Sequence, residues 1–252
     1  MDEQIKENLK YLGLTRIGRM FDELALKAAE GGAQPADFAA ELFAEEAAAR
    51  RERAVQRRVR HACFPVVKTI GDFDWAEAPF LQRGLIEYLF RLDFVRERRN
   101  VAFIGSPGTG KTHLAIALGH QACTQGFSVL FGQAVDIVDE LAAAKAEGRV
   151  AAAMKKYRSP DLLVVDELGY LATDSRGADL FFQLVSARYE SGSMVVTSNL
   201  GYKDWVNVFD GNKALTAAIL DRVCHKCTTV LMEGASFRMR HRDRDPKANN
   251  VR

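Results

Sequence analysis

No run of about 18 consecutive apolar residues occurs in the 252-residue chain, so no membrane-spanning helix is expected. Net charge is nearly absent. The 35 lysines and arginines stand against 33 aspartates and glutamates, which argues neither for nor against a polyanionic partner. Cysteine is scarce: Cys63, Cys123, Cys224 and Cys227. The opening Met1-Asp2-Glu3-Gln4 is polar and acidic, unlike a signal peptide, so thiols and a cytoplasmic location are expected. Cys224-His225-Lys226-Cys227 has the spacing of half a zinc site, but no second pair completes it and the stretch reads as helix. Internal repeats are missing. What is present is 48% hydrophobic content, enough for one large domain, alone or with an appendage.

Residues 2–30 read as helical, with Ile17, Met20, Phe21 and Leu24 on one face. Gly31-Gly32 ends that segment, and Pro35 opens a second helix expected to reach about Ala62, with Phe38, Leu42 and Phe43 on one side. Its second half, Arg50 to Arg60, holds six arginines and one glutamate. Arg50, Arg53, Arg57 and Arg60 share a helix face and could track a phosphate backbone. Beyond Phe64-Pro65, Ile70, Phe73 and Trp75 form an apolar cluster in an irregular segment, and Leu81, Leu85, Ile86 and Leu89 mark a helix. Apolar strands are expected at 101–104, 128–131, 162–166, 194–197 and 228–232. Runs this apolar suit a parallel sheet covered on both faces. Short helices are expected at 134–146 and 149–158, hinged at Gly148, and longer ones at 177–190 and 213–226.

The chemistry centres on Gly105-Ser106-Pro107-Gly108-Thr109-Gly110-Lys111-Thr112, between the first of those strands and an apolar helix. Strand, glycine loop and helix make GxxxxGK[ST] a phosphate-binding loop. Its backbone N–H groups and the helix N-terminus face the anion. Lys111 can reach the outer phosphates and the Thr112 hydroxyl can ligate Mg²⁺. A second apolar strand ends in Asp166-Glu167, at the carboxyl edge where open α/β sheets bind ligands. Asp166 is then a Mg²⁺ residue opposite Thr112. Glu167 is placed to polarise a water for attack on the γ-phosphorus, which suggests ATP hydrolysis. Asn199 ends a third strand and could contact the γ-phosphate or that water.

With these residues in view, the chain resembles the IstB-type ATPases, helper proteins of bacterial insertion sequences. The likeness rests on 105–115 (including His113), Asp166-Glu167-Leu168-Gly169-Tyr170, Ala178 to Val185, Thr197-Ser198-Asn199, Ile219-Leu220-Asp221-Arg222 and Ser236-Phe237-Arg238. These proteins are similar to the DnaA/DnaC clade of AAA+ ATPases. The resemblance implies an α/β AAA+ P-loop core with a five-stranded parallel sheet. The residues divide the chain into a small helical N-terminal domain (1–62), an ATPase domain (63–245) whose one long helix and strand pair after Asn199 make a reduced C-terminal lid, and a flexible tail (246–252). The resemblance implies ATP and Mg²⁺ as cofactors, and hydrolysis stimulated by DNA and oligomerisation. The implied partners are double-stranded DNA, a transposase of the same insertion sequence and further copies of the chain. It places Lys111 and Thr112 in Walker A, Asp166 and Glu167 in Walker B and Asn199 at sensor 1. Arg222 falls where the clade has an arginine finger, with Arg188 a second candidate, and Arg238 where a sensor 2 arginine is expected. The family usually has Tyr where this chain has Phe237. The 134–158 helices fall where the clade lines its central channel, so Lys145, Arg149, Lys155 and Lys156 join the arginine stripe as DNA-contact candidates.

Two other functions share the phosphate loop. A DnaC-like helicase loader would dock its N-terminal helices on a helicase, whereas the arginine-dense helix suits phosphates. A small-molecule kinase would need a lid over a substrate pocket. Glu167 beside Asp166 and the arginine-finger candidate speak against it.

Overall fold

Alternation along four apolar runs builds the centre of the protein; the fifth strand, expected to be as buried, lies at the sheet edge with only Val230 buried. The structure, a computed structural model, describes residues 1–237. Its strands are β1 (Asn100–Ile104), β2 (Val129–Gln133), β3 (Leu162–Asp166), β4 (Ser193–Ser198) and β5 (Cys227–Leu231). All pair in parallel in the order β2-β3-β4-β1-β5. Successive side chains leave a strand on opposite faces. Val101, Phe103, Val129, Phe131, Leu162, Val164 and Val195 therefore enter one core, and Ala102, Ile104, Leu130, Leu163, Val165, Met194 and Val196 the other. The first core is closed by α4 (Arg83–Leu89), α5 (Asp93–Arg96) and α6 (Lys111–Thr124). The second is closed by α7 (Ala134–Ala146), α8 (Val150–Arg158), α9 (Ser175–Arg188) and α10 (Lys213–Cys224). This is an α/β fold with a five-stranded parallel sheet covered on both faces, and among the described residues no helix is long and apolar enough to cross a membrane.

The order of strands positions the site. β4 lies between β1 and β3, so the residues ending β4 sit between the loop that follows β1 and the carboxylates that end β3. That is the crevice where open parallel sheets bind ligands.

The chain divides into two units, Met1–Arg57 and the remainder from Arg58. In the first, the expected single helix is two, α1 (Glu3–Tyr11) and α2 (Thr15–Glu30). Gly13, at φ +65°, takes the left-handed conformation that ends α1. Ile17, Leu24 and Leu42 form its small core, with Met20, Phe21 and Phe38 packed against it. Phe43 does not join them. It is 63% exposed, because five residues along α3 (Pro35–His61) carry it off the face of Phe38. At the other end of the chain, α10 stops at Cys224 and β5 begins at Cys227, so the two thiols are not on one helix as expected. No group of three or more His, Cys, Asp or Glu that could hold a metal ion occurs among the described residues.

Candidate functional site

The loop between β1 and α6 lines a cavity of about 430 Å³. Pro107 to His113, Glu167, Thr197 and Asn199 face it from the sheet edge, and Lys68, Asp72, Phe73, Asp74, Glu77 and Ala78 form a further wall. Within the loop, the Thr109 hydroxyl donates to Ser106 O (2.8 Å), and Lys111 Nζ lies 2.7 Å from both Gly105 O and Ser106 O. Lys111, 9% exposed, is the first residue of α6, whose N-terminus therefore points at the same space.

Asp166 is buried at the end of β3 and accepts from two hydroxyls. Thr112 Oγ1 donates to its carboxylate at 3.0 and 3.1 Å, and Thr197 Oγ1 donates to Oδ1 at 2.5 Å. A hydroxyl and a carboxylate side by side are the hard oxygen donors that suit Mg²⁺. The residues present therefore fit the ion. Glu167 turns the chain out of β3 at φ +59°, a left-handed conformation uncommon for a residue with a side chain. Its N–H donates to Thr197 Oγ1 (2.9 Å), so the same threonine holds both acidic residues in place. Asn199 directly follows β4, with its Oδ1 buried and without a hydrogen-bond partner among the described residues. Buried polar atoms are normally satisfied, so this amide retains capacity for a ligand or a water. Gly169 leaves it room: a Cβ there would overlap Asn199 Oδ1.

His113 lines the same cavity, on the side of the further wall. Its Nε2 donates to Thr69 O (3.0 Å) and its ring meets Phe73 edge-on, with centroids 5.3 Å apart. The wall from Lys68 to Ala78 was missed as part of the site. Its only signal in the sequence was the aromatic cluster around Phe73.

The two trans candidates part company. Arg188 is 1% exposed, and its guanidinium donates to the carbonyls of Tyr157, Arg158, Pro160, Asp161 and Ser193. It ties loops at the amino edge of the sheet and is not free to reach a neighbour, which corrects that expectation. Arg222 is half-buried on α10. It donates to Ala218 O (2.9 Å) and lies 4.8 Å over the ring of Phe182. It lines a crevice with Arg98, Asn100 and Met194, at the amino edge of β1 and β4. The nucleotide cavity is at the carboxyl edge, so Arg222 does not serve its own site. Arg238 and the 246–252 tail lie outside the described residues.

The basic candidates also divide. Arg50 and Arg53 turn onto Glu46 Oε1 (3.2 and 2.9 Å). Arg50 also donates to the carbonyls of Leu12 and Gly13, and Arg53 to the Thr15 hydroxyl. Lys156 pairs with Glu140, which also accepts from Tyr157, and Arg149 pairs with Glu147. Arg57, Arg60, Lys145 and Lys155 are exposed and have no ion-pair partner among the described residues.

Comparison with known proteins agrees with this geometry. A family model described as IstB-like ATP binding protein matches residues 7–245. The ATP-binding protein of insertion sequence IS21 from Pseudomonas aeruginosa is 36% identical, over 93% of this chain and 88% of its own. That of insertion sequence IS5376 from Geobacillus stearothermophilus is 31% identical over 96% of both. Among solved structures, AMPPCP-bound DnaA from Aquifex aeolicus matches with a TM-score of 0.54 at 22% identity, over 73% of this chain and 55% of that one, a likeness of fold. The phosphate loop, the paired carboxylates and a family match over nearly the whole length agree: the chain belongs to the IstB-like ATP-binding protein family.

Proposed function

We propose that this protein is a Mg²⁺-dependent ATPase that assembles on target DNA and assists the transposase of its own insertion sequence. The observation that carries the hydrolytic part is the convergence of Glu167 and Asn199 on the cavity that holds Lys111 and the Thr112–Asp166 pair. Lys111 neutralises the outer phosphate oxygens of ATP. Thr112 and Asp166 would hold Mg²⁺, which would supply positive charge to offset that of the phosphates. Glu167 accepts a proton from the attacking water, and Asn199 orients that water through its free hydrogen-bonding capacity. The transposition part rests on relatives whose names tie them to insertion sequences. DNA contact would fall to exposed cations: Arg57 in the first unit, and Arg60, Lys145 and Lys155 in the second.

Glu167→Gln tests the mechanism, because it removes only the water-polarising carboxylate. Phosphate release should fall by about 10²-fold or more while ATP still binds. Lys111→Ala should weaken ATP binding itself. Turnover by Glu167→Gln at the parental rate would sink the assignment of the base.

A further inference from the structure

The wall from Thr69 to Ala78 has no regular secondary structure of its own beyond two short 3-10 turns, Ile70–Asp72 and Trp75–Glu77. Ile70, Phe73, Trp75 and Ala78 pack it against the first core, and three further contacts tie it down. Asp72 Oδ2 accepts from the Thr69 N–H (2.8 Å) and the Thr69 hydroxyl (2.9 Å), which closes the first turn on itself. These bonds, with a smaller contribution from nearby His113, hold the Asp72 carboxyl below the usual range. Phe73 seats its ring against the phosphate loop at Gly110, where a Cβ would come within 2.7 Å of the ring edge. Gly110 itself is at φ +95°, so side chains are unfavourable there twice over.

The third contact is His113. It is the third residue of α6, directly after Lys111 and Thr112, and so moves with the phosphate-binding turn. A carbonyl can only accept, so the bond to Thr69 O requires the proton on Nε2. One imidazole thus joins the backbone that binds phosphates to the backbone of the wall beyond it. The geometry points to His113 as a positioning residue. By fixing the Thr69–Ala78 wall to the phosphate loop, it makes the cavity hold a whole nucleoside triphosphate more tightly than the triphosphate alone. This rests on the reading of the cavity as an ATP site. The physical reason is preorganisation: without the bond to His113 the Thr69 end of the wall keeps more freedom, and fixing it when the nucleoside arrives is subtracted from affinity.

The test compares Mg²⁺-ATP with Mg²⁺-tripolyphosphate, which lacks a nucleoside, as competitors of a fluorescent ATP analogue on the full chain. Loss of one hydrogen bond predicts about fivefold to tenfold weaker ATP binding and a correspondingly higher KM for His113→Ala. Tripolyphosphate binding and kcat should stay within about twofold, because the phosphate loop and Glu167 are untouched. His113→Gln places an amide donor at similar reach and should restore ATP affinity. His113→Asn is too short and should behave as alanine does, and this pair decides the matter if the alanine variant folds poorly. Equal loss of both ligands, an unchanged ATP affinity, or failure of glutamine to rescue would each overturn the tie. Lys111→Ala runs alongside. If the parent binds ATP and Lys111→Ala does not, the site stands whatever His113 does. If the parent binds no ATP, the site reading falls first.

Discussion

Glu46 is 3% exposed, and its two oxygens face different groups. Oε2 accepts from the N–H groups of Arg16 (2.7 Å) and Ile17 (3.2 Å), in the first turn of α2. Those N–H groups have no partner within their own helix, and Leu14, the residue before it, has no side chain able to cap them. Oε1 faces Arg50 and Arg53. Burial pushes the Glu46 carboxyl up, but the two N–H bonds and the two arginines outweigh it and leave the group below its ordinary range. The sign follows directly. A depressed folded value adds stability above the unfolded carboxylate range, and that stability is lost as pH falls through the folded value. Glu46→Gln should cost about 1–3 kcal/mol at neutral pH, since it removes charge-assisted bonds at a buried position. It should also flatten the acid limb of stability. Thermal melts from pH 7 down to pH 3 check both, and parallel acid limbs for parent and variant would refute the linkage.

At the scale of elements, α3 shows how a pattern can be read correctly and assigned too broadly. Its limits were legible from Pro35 and Phe64-Pro65, and its arginine stripe was visible from spacing alone. That Arg50 and Arg53 close the start of α2 was not legible, because the link runs through a carboxylate about thirty residues from that start. The break between α1 and α2 did carry a signal, Gly13 followed by Thr15, which helical periodicity on either side masked. The divided stripe gives a prediction. Arg57→Ala with Arg60→Ala should lower the slope of log K against log salt for any duplex by about two, near one per lost phosphate contact. Arg50→Ala with Arg53→Ala should instead lower the melting temperature and leave that slope in place. Binding titrations at several salt concentrations separate the pairs, and a slope set by Arg50 and Arg53 would reverse the assignment.

Across the whole molecule, the sheet and the phosphate end of the site were legible because both are written locally. Fully apolar runs mark buried strands, and the glycines, Lys111, Thr112, Asp166 and Glu167 lie at strand ends. The wall at Thr69–Ala78 was not legible, because its shape comes from His113 and Gly110, some forty residues away in the chain. The edges of the sheet then bear on assembly. Five residues of strand, roughly 16 Å at ~3.3 Å per residue, separate the cavity at one edge from Arg222 at the other. A residue so placed reaches an ATP only across a head-to-tail contact between copies, where one copy's amino edge faces the next copy's cavity. An arginine acting in trans can contribute ~10³-fold or more to turnover. Arg222→Ala should therefore bind ATP normally and hydrolyse it poorly, whereas an assembly of Lys111→Ala subunits should hydrolyse poorly because its cavities bind ATP weakly. In an equal mixture, about a quarter of random head-to-tail interfaces join an intact cavity on an Arg222→Ala subunit to an intact Arg222 on a Lys111→Ala subunit. Phosphate release from the mixture should rise well above either variant alone. Parental turnover by Arg222→Ala would remove the role from this residue. A silent mixture, with each variant still assembling by light scattering, would show that the two residues do not meet across subunits.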